Sequence, residues 1–165
     1  MNISNNGIEI LKKLEGSVIR AGKHVIYDDA TGAPIATNVS LPRGATIGYG
    51  HLIKPGEDFT AGIDENRATE LLRHDIACAE RTVRENITVP ITQNQFDALV
   101  IFAYNIGAKN FAGSTVVKYI NNPNFHSAAY PTLKSAWCAW NKSGGHIMPG
   151  LIHRRESELK LFHTI

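Results

Sequence analysis

Three polar residues in the first third of the chain have the side chains that acid–base hydrolysis needs. Glu15 and Asp29 carry carboxyl groups, and Thr46 carries a hydroxyl that can hold a water molecule. Two carboxyl groups, one protonated and one ionised, can serve as general acid and general base on a single bond. Taken singly, such residues are usually ordinary polar surface. They make a catalytic site only if the surrounding elements bring them together.

The segment 46–51, Thr-Ile-Gly-Tyr-Gly-His, alternates two glycines with residues that favour strands. This pattern predicts a strand or tight hairpin with one face that other groups can approach closely. Turn signals upstream, at 29–32 and 41–44, predict two or three short antiparallel strands within 25–50. Thr46 would therefore lie on a small sheet.

Upstream of this sheet, apolar residues recur at the spacing of one helix face between positions 8 and 14, and Gly16 follows them. The spacing predicts a helix whose cap is Asn6 and whose last turn carries Glu15. A carboxyl group buried near the negative end of the helix dipole favours its protonated form. A general acid requires that form.

Helical periodicity dominates the rest of the chain. Asp64 can cap a helix at about 64–85, which is long enough to join two lobes. A capping-box pattern at 92–95 opens the most apolar segment of the chain, and Gly107 fits its end. Further helices are predicted at 114–120, from about 127 to 140 with Pro131 as an alternative start, and at 150–162.

The fold class is predicted to be α+β, with a small N-terminal β-sheet lobe and a larger helical C-terminal lobe joined by a long helix. We expect a single domain in which the small lobe is at about 1–60, the connecting helix at about 64–85 and the helical lobe at about 86–165. A chain of 165 residues is long enough to bury such a core.

Composition limits the classes of function. Of the residues, 43% are apolar and 19% are charged, and the net charge is +2. These values are typical of a folded globular protein, and without a dense Lys/Arg run they do not indicate nucleic-acid binding. The polar N-terminus is unlike a signal peptide, and the longest uncharged apolar stretch, 98–108, is too short to cross a bilayer. We therefore expect no membrane anchor and a cytoplasmic location.

Short motifs follow one another along the whole chain. In the first part they are Leu14-Glu15-Gly16, Tyr27-Asp28-Asp29-Ala30-Thr31-Gly32 and Thr46-Ile47-Gly48-Tyr49-Gly50-His51. In the second part they are Gln95-Phe96-Asp97-Ala98-Leu99, Phe102-Ala103-Tyr104-Asn105-Ile106-Gly107, Phe111-Ala112-Gly113-Ser114-Thr115 and Gly150-Leu151-Ile152-His153-Arg154-Arg155-Glu156. Each is weak alone, but in this order they resemble the phage-type lysozymes of glycoside hydrolase family 24.

The resemblance implies a lysozyme-like fold and hydrolysis of the β-1,4 bond between N-acetylmuramic acid and N-acetylglucosamine in peptidoglycan. Glu15 is similar to the family's general acid, and Asp29 to its general base or electrostatic stabiliser. Thr46 is similar to a threonine that orients the attacking water, and His51 to a histidine that supports the site. The family inverts configuration, so the two carboxyl groups are expected about 6.5–9.5 Å apart.

The chain departs from the family pattern in two intervals. Thirteen residues separate Glu15 from Asp29, and sixteen separate Asp29 from the threonine, more than the family has in either place. The segments 20–25 and 30–45 are interpreted as insertions that lengthen the hairpins of the small sheet. They leave Asp28 as an alternative carboxyl, because a shift of one residue turns a strand side chain to the other face. The flanking Tyr and Gly favour Asp29.

Three further residues are candidate sugar contacts under the same resemblance. Leu52 directly follows the histidine, and Tyr104 and Ser114 lie in segments that line the cleft in the family. For Tyr104 a half-buried core aromatic is an equal alternative, and for Ser114 a helix N-cap is the favoured alternative. No metal and no cofactor are expected, because the histidines lack metal-ligand spacing.

The resemblance also implies a role, that of a phage endolysin causing host cell lysis. Its partner would be the glycan strand of peptidoglycan. The chain would act as a monomer and stay in the host cytoplasm. A holin would have to permeabilise the membrane before the protein reached the cell wall.

Two alternatives remain open. A lytic transglycosylase would cut the same bond with one acid, and Glu15 would then matter far more than Asp29 or Thr46. A non-catalytic peptidoglycan-binding module would keep the cleft with a misplaced acid–base pair.

Overall fold

The computed structural model describes residues 1–36 and 40–164, which form helices and short antiparallel strands. This mixture confirms the predicted α+β class. Positions 37–39, inside the predicted insertion 30–45, lie outside the described residues.

The chain divides into two compact units. We call residues 9–75 the sheet unit, and residues 1–8 together with 76–165 the helical unit. The elements, in chain order, are α1 (Asn5–Glu15), β1 (Ile19–Arg20), β2 (Lys23–His24), β3 (Tyr27–Asp28), β4 (Ala45–Ile47), β5 (His51–Leu52), α2 (Glu65–Asn86), α3 (Gln93–Ile106), α4 (Ala108–Ala112), α5 (Thr115–Asn121), α6 (Leu133–Cys138), β6 (Lys142–Ser143), β7 (His146–Ile147) and α7 (Pro149–Phe162).

The sheet unit contains the hairpin β1–β2 and a three-stranded antiparallel sheet in the order β3-β4-β5. In that sheet Thr46, on the central strand, pairs with Tyr27 on one side and with Leu52 on the other. Paired residues of an antiparallel ladder lie on the same face of the sheet. The three side chains therefore share one face.

A turn at 48–50 joins β4 to β5, which confirms the hairpin predicted from the segment 46–51. Gly48 and Gly50 have φ angles of 62° and 89°. Residues with a side chain rarely adopt such angles, so the backbone of this turn requires both glycines.

A small apolar cluster stabilises the sheet unit. Its members come from β4, from the residue before β3, from the segment before α2 and from the first turns of α2, and Ala45 and Ile47 flank Thr46 within it. Burial of these neighbours fixes the strand that carries the threonine. The buried members are Ile26, Ala45, Ile47, Ile63, Ala68 and Leu71.

Helix α1 ends at Glu15, as the sequence predicts. Gly16 has a φ of 69°, and its amide donates to the Lys12 carbonyl at 2.9 Å. A glycine in this conformation is a common helix terminator. Glu15 is thus on the last turn of the helix.

The predicted cap of α1 at Asn6 is wrong. The hydroxyl of Ser4 accepts a hydrogen bond from the Gly7 amide at 3.1 Å, which makes Ser4 the cap. Ser4 itself donates its amide to Asp97 at 2.9 Å and its hydroxyl to the same carboxylate. A contact with a residue far along the chain therefore sets the start of this helix.

In the helical unit, α3 is the buried centre, consistent with its being the most apolar segment of the chain, and it packs mainly against α7. The capping box is confirmed, because Thr92 and Gln95 bond to each other's backbone amides through their side chains. Gly107 ends the helix. None of the helices in 1–36 and 40–164 combines the length and the apolar character needed to cross a membrane.

The helix predicted from about 127 to 140 is shorter than expected. Helix α6 covers only Leu133–Cys138, and Thr132 caps it in a capping box with Ser135. Pro131 lacks an amide hydrogen and disfavours helical backbone in the residue before it, so the helix begins after it. Trp137 is fully buried in α6, as a core residue should be.

Candidate active site

Glu15 is half-buried and lies next to the turn at 48–50. A Cβ atom built on Gly50 would be 3.8 Å from the Glu15 Oε2 atom. With glycine at this position the backbone can approach the carboxyl without an intervening side chain. The structure therefore brings the predicted general acid to the turn that precedes His51.

Asp29 and Thr46 are joined through one backbone oxygen. The Asp29 amide donates to the Gly44 carbonyl at 3.4 Å, and the Thr46 hydroxyl donates to the same oxygen at 2.9 Å. Thr46 is buried, whereas Asp29 directly follows β3 and is exposed. Because the hydroxyl proton is directed at Gly44, the lone pairs of the Thr46 oxygen can accept a hydrogen bond from another group.

The Tyr27 phenol lies in the field of both carboxyl groups. Burial raises the pKa of Tyr27, and the negative charge of Asp29 raises it further. The Gly50 amide lowers this pKa by donating a hydrogen bond, and the charge of Glu15 raises it again. Charges act on a pKa in this way over short distances. The structure thus brings both candidate carboxyls to one phenol, which pairs with Thr46.

The two neighbouring aspartates have different surroundings. The Asp28 Oδ1 atom accepts hydrogen bonds from the Ala30 amide at 3.0 Å, the Thr31 amide at 2.9 Å and the Thr31 hydroxyl at 3.1 Å. Asp28 is thereby used to close its own turn. Within the described ranges, no side chain donates a hydrogen bond to the Asp29 carboxylate.

His51 is buried between two carboxylates. Its Nδ1 atom lies 2.8 Å from Asp75 Oδ2, and its Nε2 atom lies 3.1 Å from Glu57 Oε2. The Lys54 amide lowers the pKa of Glu57, and the hydrogen bond with His51 adds to this effect. Partners on both ring nitrogens fix the orientation of the imidazole. The contacts of His51 are therefore with protein groups that brace the start of β5.

Leu52, Tyr104 and Ser114 have different positions. Leu52 is 56% exposed and shares a face of the sheet with Thr46. Tyr104 is half-buried on α3, and Ser114 is buried at the start of α5, both in the helical unit. The Ser114 hydroxyl accepts the Val117 amide at 3.2 Å, which confirms the helix-cap interpretation. Their contacts with sugar stay a prediction.

A cluster around Glu65 was not anticipated from the sequence. Its carboxylate accepts hydrogen bonds from the Lys12 ammonium at 2.8 Å and the Tyr49 hydroxyl at 2.9 Å, and it lies 2.9 Å from His24 Nε2. Burial opposes the charge of Glu65, but the bonds from Lys12, His24 and Tyr49 lower its pKa to about 2. Burial and then the Glu65 carboxylate raise the pKa of Tyr49 to about 12. We call these four residues the Glu65 cluster.

Nothing local in the sequence marks this cluster, because its members are far apart along the chain. Glu65 follows the helix cap Asp64, whose carboxylate accepts the Arg67 amide at 2.8 Å, and is typical of an exposed first turn. In the part of the chain that the structure describes, no group of three His, Cys, Asp or Glu residues could hold a metal ion.

Comparison with known proteins identifies relatives along the whole chain. The phage lysozyme family profile matches residues 24–158. The endolysin of Bacillus phage B103 is 40% identical over 99% of this chain, and that of Salmonella phage P22 is 37% identical over 98% of it. Among solved structures, a P22 lysozyme mutant has a TM-score of 0.75 and a sequence identity of 34%. The muramidase domain of SpmX from Asticaccaulis excentricus has a TM-score of 0.74 and a sequence identity of 31%. In both comparisons the match covers 99% of this chain and 99% of the other chain.

The relatives differ in length. The match spans 55% of the B103 endolysin and 56% of the endolysin of Bacillus phage PZA, but 98% of the P22 endolysin. The chain therefore spans about half the length of the first two relatives. The structural similarity confirms the predicted lysozyme-like fold. By sequence and by fold, this chain belongs to the phage lysozyme family.

Proposed function

We propose that the chain is a phage endolysin with muramidase activity. It would hydrolyse the β-1,4 bond between N-acetylmuramic acid and N-acetylglucosamine in peptidoglycan. Relatives named endolysins and a structural neighbour named a muramidase domain support this proposal. The observation that carries it is the proximity of two carboxyl groups and a hydroxyl around Tyr27.

In the proposed reaction Glu15 is the general acid. It donates its proton to the glycosidic oxygen as the bond between that oxygen and C1 of the muramic acid breaks. A water molecule attacks C1 from the opposite face, and Asp29 accepts a proton from it as the new bond forms. Exchange with solvent then returns both carboxyl groups to their starting states.

Thr46 would orient the attacking water. Its hydroxyl proton is donated to Gly44, so towards water its oxygen acts as an acceptor. A water that donates one hydrogen to Thr46 and the other to Asp29 presents a lone pair to C1. The shared Gly44 carbonyl would fix the spacing of these two acceptors.

Asp29 is the better candidate for the base. The Asp28 carboxylate takes three hydrogen bonds from its own turn, and a base in that position would have to break them to accept a proton. The exposed Asp29 carboxylate has no such competition among the described side chains.

The remaining roles are proposed by the same reasoning. Leu52 presents an exposed apolar surface beside Thr46 and would pack against sugar C–H groups. Tyr104 and Ser114 would contact neighbouring sugars, and His51 would brace the site. The protein would act as a monomer without a cofactor on the glycan strand, after a holin released it from the host cytoplasm.

Mass spectrometry of the fragments released from purified peptidoglycan tests this function. Reducing N-acetylmuramic acid ends are expected, and the Glu15→Gln variant should release at least about 100-fold fewer. Glu9→Gln, the same change on an exposed face of the same helix, is the matched control and should behave like the unmodified protein. Anhydro ends would instead indicate a transglycosylase, and binding to intact glycan without cleavage would indicate a binding module.

A further inference from the structure

The Glu65 carboxylate holds the chain on both sides of Glu15. Lys12, in the same helical turn as Glu15, donates its ammonium to Glu65 Oε1 at 2.8 Å. Ser17, just after the helix, contacts His24 Nδ1 through its hydroxyl at 2.5 Å, and His24 Nε2 lies 2.9 Å from Glu65 Oε2. Because Glu65 is ionised, its hydrogen bond with His24 requires a hydrogen on Nε2, while Nδ1 contacts the serine hydroxyl.

The same carboxylate holds the turn at 48–50. The Tyr49 hydroxyl donates to both Glu65 oxygens, at 2.9 and 3.0 Å. The Lys12 ammonium lies 5.6 Å from the centre of the Tyr49 ring, and the His24 ring packs edge-on against it at 5.2 Å. The residue after this tyrosine is the glycine whose backbone faces the general acid.

We propose that Glu65 is a positioning residue, which fixes the end of α1 that carries Glu15 against the turn at 48–50. The inference rests on the proposed function of Glu15 as the general acid. Proton donation requires the carboxyl to lie within hydrogen-bond distance of the glycosidic oxygen, and a small displacement lowers the rate steeply. By linking helix end and turn through one charge, Glu65 removes the freedom that would let them separate.

Lys12, Tyr49 and Glu65 keep their charge states near neutral pH. Burial disfavours the Lys12 ammonium, but its hydrogen bonds to Glu65 and Glu9 raise its pKa. Glu65 stays ionised and Tyr49 stays protonated at any pH at which a lysozyme would work. The bonds from Lys12 and Tyr49 to Glu65 are therefore present whatever the protonation state of Glu15.

His24 gives the segment 20–25 a role. The sequence sets this segment apart as an insertion, and its hairpin places His24 between Ser17 and Glu65. The backbone of His24 also exchanges two hydrogen bonds with Ile63, at 2.9 and 3.0 Å, just before α2 begins. The segment 20–25 thus contributes, through His24, a contact that links Ser17 to Glu65.

Steady-state kinetics of Glu65→Gln on soluble peptidoglycan fragments tests the proposal. The variant keeps the shape of the side chain and removes its charge. We expect kcat to fall about tenfold while KM stays within about twofold, because the acid is displaced but the sugar contacts remain. Circular dichroism at the assay temperature establishes the folded fraction, to which kcat is normalised.

Glu9→Gln is the matched control. Glu9 pairs with the same lysine at 2.8 Å on the same helix, but the Tyr49 hydroxyl donates to Glu65 and not to Glu9. Its loss should leave kcat within about twofold. Tyr49→Phe should lower kcat. Adding it to Glu65→Gln should cause little further loss of kcat, because both variants disrupt the same contact between Tyr49 and Glu65. When Tyr49→Phe is added to Glu9→Gln, it should lower kcat by the same factor as it does alone.

Two results would overturn the inference. One is a normalised kcat of Glu65→Gln equal to that of the unmodified protein. The other is multiplicative losses in the Glu65→Gln, Tyr49→Phe double variant. If the unmodified protein releases no fragments from peptidoglycan, the proposed function itself fails. That result needs no variant, so it is distinct from the two results above, which would overturn only the role of Glu65.

Discussion

The amide of Asp29 and the hydroxyl of Thr46 donate to the same oxygen, the carbonyl of Gly44. One carbonyl therefore sets the position of the proposed base and the direction of the proposed water-holding hydroxyl. The carbonyl belongs to the residue before β4, and Ala45 and Ile47 of that strand are buried in the apolar cluster of the sheet unit. A rigid strand thus supports a site that is open to solvent at Asp29.

Two replacements of Thr46 distinguish the role of its hydroxyl from the role of its packing. Thr46→Val keeps the shape but removes the oxygen that would hold water, and kcat should fall about 100-fold. Thr46→Ser keeps the hydroxyl and should retain activity within about tenfold. Steady-state kinetics of the two variants makes the comparison. Equal losses in both would mean that packing, not the hydroxyl, matters.

The neighbouring aspartates should respond in opposite ways. Asp29→Ala should reduce turnover by about 100-fold or more with little effect on stability, because an exposed base is lost. Asp28→Ala should lower the free energy of unfolding by about 1 kcal/mol, because its turn loses three hydrogen bonds, and should keep more of the activity. Turnover assays and urea unfolding of both variants distinguish them. The reverse pattern would assign the base to Asp28.

A methyl group at Gly50 should affect the acid as well as the backbone. Gly50→Ala strains a residue with a φ of 89° and places a carbon 3.8 Å from Glu15 Oε2. Gly56→Ala is the control, since its φ is 92° and a built Cβ meets no atom within 4 Å. Each should cost about 1–2 kcal/mol of stability. Only Gly50→Ala should also lower kcat, measured at a temperature at which both variants are folded.

Glu65 should make stability depend on pH in acid. Burial opposes its charge, but three hydrogen-bond donors lower its pKa to about 2, against 4.5 for an ordinary glutamate. The unfolded chain takes up this proton first, so the contribution is complete above about pH 5 and is lost as pH falls towards 2. Since the side chain is 53% exposed, about 1 kcal/mol is expected. Urea unfolding of the unmodified protein and Glu65→Gln should differ at pH 6 and converge near pH 2.

The partners of His51 should differ in their importance for stability. Asp75 is 18% exposed, and Asp75→Asn removes a charge beside a buried imidazole, which should cost about 2 kcal/mol. The melting temperature would then fall by about 6 °C. Glu57→Gln is the comparison and should cost less, because its oxygen can still accept the Lys54 amide, at 2.8 Å in the unmodified protein. A larger effect of Glu57→Gln in thermal unfolding would contradict this ranking.

Local patterns predicted the elements that depend on neighbouring residues. The hairpin at 46–51 follows from glycines in a strand-like segment, and the start of α3 follows from the capping box at Thr92. In both, the groups that form the hydrogen bonds lie within a few positions of each other. A short segment of the sequence therefore contains every group that forms the element's hydrogen bonds.

Contacts between distant positions account for most of the rest. The cap of α1 is Ser4 because Asp97 holds it, and no local signal distinguishes it from Asn6. The Glu65 cluster joins positions that are 41 and 16 residues from Glu65, so no spacing along the chain reveals it. Tyr27 likewise pairs with Thr46, which is far from it along the chain, so neighbouring residues do not reveal this pairing.

The buried phenol of Tyr27 closes the turn at 48–50 through hydrogen bonds with Gly48 and Gly50. Its hydroxyl donates to the Gly48 carbonyl at 3.5 Å and accepts from the Gly50 amide, and its raised pKa keeps it neutral well into alkaline solution. The turn that faces Glu15, the proposed acid, is thus closed by a hydroxyl that gains and loses no proton near neutral pH. In the proposed reaction Glu15 and Asp29 would exchange protons while the protonation of the Tyr27 hydroxyl stays the same.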